Sequence, residues 1–134
     1  MENFLAPLRP QILSIFRIMS GLLILQFGTA KILGYPAVKN FANVGVGQWP
    51  SWYAGMLELV FGALLVVGLF SRVSAFILSG LMAFAYFIGH APRGMFMPLV
   101  NNGTLAALFC FAFLYLAAAG PGPLSLDALV RGKR

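Results

Sequence analysis

The sequence predicts an all-α fold, a transmembrane antiparallel four-helix bundle, and three observations carry that prediction. Of the 134 residues, 60% are hydrophobic and only 9% are charged, against roughly a quarter charged in soluble globular chains. Four apolar stretches, near 12–34, 51–70, 73–89 and 103–120, each approach the roughly 20 residues that a helix rising about 1.5 Å per residue needs to cross about 30 Å of hydrocarbon. Little chain separates them, so one integral membrane domain accounts for the whole sequence. Lipid offers no water to backbone polar groups, which leaves helices or a closed barrel, and long runs without alternation select helices.

In the first stretch Arg17, Gly21, Ile24, Gly28 and Lys31 fall on one stripe at about 100° per residue. Glycines permit close helix approach and intramembrane cations point into protein, so this stripe faces inward. Gly28 and Ala30 imitate the small-x-small pattern of a signal-peptide cleavage site, but Arg17 interrupts the would-be apolar core; the segment reads as a retained span. Trp49, Trp52 and Tyr53 form an aromatic belt where the second stretch meets the outer interface. Glu58 there aligns with Gly62, Leu65 and Leu69, and a tight turn at Ser71 and Arg72 follows.

The third stretch aligns Ser79, Ala83, Tyr86 and His90, with Ala75, Ser79 and Ala83 as a small-residue ladder, and His90 closes it before Ala91 and Pro92. The fourth aligns Thr104, Leu108, Phe111 and Tyr115 as its polar inner face. Residues 121–134 make a cytoplasmic C-terminal tail. It is either a short interfacial helix capped by Ser125 with Asp127 in its first turn, or a frayed end.

An even number of spans puts both termini on one side, and the basic residues Arg9, Arg72, Arg131, Lys133 and Arg134 mark that side as cytoplasmic, against Lys39 and Arg93 opposite. The expected location is a membrane, crossed several times. The net charge of +6 is spread over both membrane faces. Topology and anionic lipid account for it, so the bilayer is the expected partner and nucleic acid is not.

Glu58 is the main candidate site residue, because a carboxylate at mid-membrane costs roughly 2.5 to 3.5 kcal/mol on insertion scales and demands a partner, a proton or a wet pocket. Lys31 lies at similar depth, an axial offset of about 6 Å, and is the expected counter-ion. His90 at the outer end of the third helix completes a triad, or else is a solvated helix cap. Arg17 lies deeper and either snorkels or bonds to carbonyls. Glu58 with Lys31 reads two ways: as a buried pair that sets helix register, or as a pair that binds a polar head group or handles a proton.

Cys110 is the sole cysteine and His90 the sole histidine, which removes a dithiol mechanism and intrinsic bis-histidine haem from one chain. No phosphate loop, nucleophile-base set or metal-ligand spacing occurs. No intrinsic cofactor, no metal and no autonomous catalytic constellation are expected.

Several pieces in order resemble the DoxX family of small four-helix bacterial and archaeal membrane proteins. They are Arg17 followed by Phe27-Gly28-Thr29-Ala30-Lys31; Glu58 through Gly62 to Gly68-Leu69-Phe70-Ser71-Arg72; Asn102-Gly103; and Gly120-Pro121-Gly122 with Ser125-Leu126-Asp127. The family often carries a glutamate after the Asn-Gly pair, where this chain has Thr104, so an outer acid shared by helices two and four is reduced to Glu58. The resemblance implies a location in a bacterial or archaeal plasma (inner) membrane and an accessory subunit of a quinone-linked or oxidative-stress redox system, with redox-enzyme partners and a bound quinone. Two alternatives stand beside it: a proton-coupled small-molecule transporter acting as a homo-oligomer, and a structural or assembly protein.

Overall fold

A computed structural model describes residues 2–37, 39–41, 44–93 and 97–132. Lys133 and Arg134 and the side chain of Arg93, used above for orientation, lie outside the described residues. All regular structure among the described residues is helical. After a short helical turn over Glu2–Leu8, the long helices are α1 (Arg9–Ile32), α2 (Ser51–Val67), α3 (Ser71–Ala85) and α4 (Thr104–Ala119), and α5 (Leu126–Gly132) closes the chain.

Each boundary has a local cause. Pro10 sits in the first turn of α1, where its missing N–H costs nothing. Gly68 ends α2 in a left-handed conformation, φ +78°, and the amides of Gly68 and Leu69 both return to the Leu64 carbonyl at 2.9 Å. The chain therefore reverses over Gly68–Phe70, and Ser71 and Arg72 lie in the first turn of α3 rather than in the connection expected from the sequence. α3 widens into π geometry over Tyr86–His90 and ends in a 3-10 turn at Ala91–Arg93, because Pro92 cannot continue an α-helical ladder.

α1 packs on α2 and α3 on α4, and α2 against α3 joins the two pairs. The first pair approaches so closely that a Cβ on Gly28 would lie 2.5 Å from the Leu59 backbone nitrogen. The core consists of Ile24, Leu65, Ala75, Leu78, Met82, Phe109, Phe113 and Leu116, with the Phe109 and Phe113 rings stacked at 5.3 Å. Ser79 donates a hydrogen bond to the Cys110 carbonyl at 2.7 Å, tying α3 to α4.

The inner stripes expected for α1 and α2 are the buried ones, Arg17, Gly21, Ile24 and Gly28 facing Glu58, Gly62 and Leu65. α4 differs: Thr104, Leu108, Phe111 and Tyr115 are exposed, and Ala106, Phe109, Phe113 and Leu116 are buried. A helix apolar on every side has no amphipathic signal to read, and its two polar residues pointed to the wrong face.

Large apolar side chains such as Leu108, Phe76, Phe87 and Phe111 cover the outside, more apolar surface than water tolerates on a monomer. Ala6–Ile32 and Ser71–His90, of 27 and 20 residues, are long and apolar enough to cross a membrane, whereas Ser51–Val67 and Thr104–Ala119 are shorter apolar helices. These surfaces suit a lipid environment.

Candidate functional site

Lys31, Glu58 and His90 line one cavity of about 550 Å³ between the four long helices, within the roughly 300–1,000 Å³ range of small-molecule sites. Lys31 reaches it from the last turn of α1, Glu58 from the middle of α2, and His90 from the π turn that follows α3. Apolar side chains including Phe27, Phe41, Phe84 and Phe109 make most of the remaining wall.

The Lys31 ammonium lies 3.1 Å from Oε1 of Glu58. Glu58 is 2% exposed, and its second oxygen, Oε2, is buried without a hydrogen-bond partner. The pair forms where the two helices approach closely, since a Cβ on Gly55 would meet the Lys31 Cβ at 2.7 Å. Lys31 Nζ also stands 5.1 Å from the centre of the Phe41 ring, a cation–π distance.

His90 is half-buried and its Nδ1 lies 3.2 Å from the Asn101 carbonyl oxygen. Asn101 is itself buried, and its Oδ1 accepts the Gly103 amide at 2.9 Å while its Nδ2 donates to the Tyr86 hydroxyl at 3.3 Å. The turn Asn101–Gly103 thus backs the histidine. Sequence reasoning missed Asn101 and Phe41 as neighbours of the site. The Asn-Asn-Gly run is a readable turn signal, but nothing local marks Phe41, which approaches from the connection between α1 and α2.

Arg17 belongs elsewhere. It is 1% exposed and donates to the carbonyls of Pro121, Leu124 at 2.8 Å and Val66 at 3.4 Å, so of the two expected behaviours it bonds to carbonyls. Ser14 accepts the Leu124 amide at 3.1 Å beside it. The carboxylate of Asp127 accepts the amides of Phe70 and Ser71, both at 2.9 Å, and so caps α3 from 56 residues away. Ser125 caps α5 through the Ala128 amide at 3.1 Å. Partial burial pushes the Asp127 carboxyl up, but the Ser71 and Phe70 hydrogen bonds and the nearby Arg131 charge outweigh it and hold it below its ordinary value. The C-terminal segment is therefore clasped to the ends of α1, α2 and α3 opposite the cavity.

No group of three metal-ligating side chains occurs among the described residues. The cavity offers an ion pair, an unpartnered carboxylate oxygen and an imidazole within aromatic walls. That arrangement suits holding the polar end of a largely apolar molecule.

Residues 12–91, more than half of the chain, match the family model described as DoxX. An uncharacterized protein of Haemophilus influenzae is 42% identical over 127 residues, covering 93% of this chain and 95% of that protein. A second uncharacterized protein of the same organism is 35% identical over 83 residues, 60% of this chain and 54% of that protein. No solved structure matches. With a relative matched over nearly the whole of both chains and a family match that runs from within α1 to just past the π turn, the chain belongs to the DoxX family.

Proposed function

We propose that this protein is a multi-pass inner-membrane protein, a transmembrane antiparallel four-helix bundle with both termini cytoplasmic, that binds the head group of a lipid-soluble quinone and serves as an accessory subunit of a quinone-linked or oxidative-stress redox system. The observation that carries this reading is the cavity shared by Lys31, Glu58 and His90, where a buried carboxylate oxygen lacks a partner. A buried acceptor left unpaired is costly, and a bound ligand or water supplies the missing bond. The size of the cavity and its phenylalanine walls fit a flat ring. Its location at the end of the bundle opposite the basic C-terminal segment supports a site in the outer half.

Purification in mild detergent followed by mass spectrometry tests the reading directly. Co-extracted quinone, or quinone binding by the purified protein that Lys31→Met abolishes, is the expected result; absence of both sinks it. Reporter fusions at the two termini check the orientation, with cytoplasmic activity expected at each.

A further inference from the structure

Lys31, Glu58 and His90 do not bring donors and acceptors to the cavity in equal number. His90 Nδ1 faces a backbone carbonyl oxygen, that of Asn101, at 3.2 Å. A carbonyl oxygen only accepts, so this contact puts the imidazole proton on Nδ1. In the neutral ring Nε2 is then a lone-pair acceptor, and it is the remaining hydrogen-bonding atom of a residue that lines the cavity. Glu58 Oε2, on the carboxylate whose Oε1 pairs with Lys31, is a second acceptor and has no partner. Among the described residues that line the cavity, Lys31 Nζ is the one charged donor, already engaged with Oε1 of Glu58.

We infer that the site takes a head group that donates hydrogen bonds, a dihydroxylated aromatic ring, in preference to the same ring carrying carbonyls. A ring carbonyl accepts from Lys31, or from the Ser51 hydroxyl or the Asn102 amide that also line the cavity, and leaves both Glu58 Oε2 and His90 Nε2 unsatisfied. A ring hydroxyl donates to either acceptor while its own oxygen still accepts from Lys31. A site that presents acceptors discriminates against the analogue lacking the donor, because its own buried groups are then left unpaired. The Asn101–Gly103 turn is the device that sets this preference, since it holds the histidine tautomer through a backbone atom that no side-chain substitution removes. This inference rests on the head-group reading proposed above.

The test uses the full-length protein in nanodiscs, under argon at about pH 8, with three probes of one short-chain prenylated ring: hydroquinone, quinone and hydroquinone dimethyl ether. The ether keeps the shape and the oxygen acceptors and removes both donors. The hydroquinone is expected to bind about tenfold or more tighter than either of the others, and Glu58→Gln and His90→Phe are each expected to narrow that ratio. Quinone or ether binding as tightly as hydroquinone overturns the donor preference and leaves the head-group reading standing. Binding of none of the three overturns both. The comparison of probes on the unaltered protein does not depend on any variant folding.

Discussion

Lys31 Nζ stands 3.1 Å from Oε1 of Glu58, an ion pair that joins α1 to α2 where those helices approach closely and leaves Oε2 unpartnered. Removing one partner strands a buried charge. Lys31→Met or Glu58→Gln alone should lower stability in nanodiscs, by about 3–5 kcal/mol for the lysine variant, where the carboxylate is left unpaired. The double variant should recover much of that loss in thermal unfolding. It should still fail to bind a quinone or hydroquinone probe, and a double variant that both folds and supports cellular function would assign the pair to helix register alone.

Arg17 joins α1 to the C-terminal segment through the carbonyls of Pro121 and Leu124. Arg17→Leu removes hydrogen bonds from a charged donor, worth about 1.5–3 kcal/mol each. The segment should open more often in that variant. Amide exchange at Leu124 and Asp127, whose N–H groups bond Ser14 and the Gly68 carbonyl, should rise by at least about tenfold, whereas exchange around Glu58 should not change.

Asp127 supplies a pH signature. Its carboxyl is held below its ordinary value of 3.8 by the Ser71 and Phe70 hydrogen bonds, which outweigh the burial that opposes them. For a depressed carboxylate the stabilisation is fully present above the ordinary value and is lost as pH falls through the lower folded value. The Phe70 and Ser71 amide resonances should therefore stay fixed from neutral pH to about 4 and move only below it. In Asp127→Asn the same resonances should show no acid transition.

Gly28 tests the close approach of α1 and α2. A Cβ there would lie 2.5 Å from the Leu59 nitrogen and 2.8 Å from its Cα, both backbone atoms that cannot swing aside. Gly28→Ala should destabilise by about 1–3 kcal/mol and disturb the neighbouring ion pair, so thermal stability and probe binding should fall together. Gly80→Ala, on α3 with open space around it, should change neither.

Much of this architecture is legible in the chain. On α1 and α2, charge and glycine at helical spacing mark the inner face because lipid tolerates neither an unpaired charge nor a needless gap. The Lys31, Glu58 and His90 grouping follows from face and depth alone, and the structure brings those three to one cavity. On α4 the same reasoning fails: Thr104 and Tyr115 are exposed, and the tilted contact of Tyr115 with Phe16 at 6.4 Å lies on the outer surface. A polar residue can sit at a helix end facing outward, where headgroups or water satisfy it.

The sequence by itself determined the helical class, the apolar exterior, the inward stripes of α1 and α2, and the pairing of Glu58 with Lys31, because helical periodicity and the cost of an intramembrane charge are local properties of the chain. Only the tertiary structure decided which side of α4 is buried, that Phe41 lies against Lys31, that the Asn101 carbonyl faces His90 Nδ1, and that Arg17 and Asp127 clasp the C-terminal segment. Those contacts use backbone carbonyls and amides, which every residue carries alike. Their partners lie up to 107 residues apart, so no pattern in the side chains announces them.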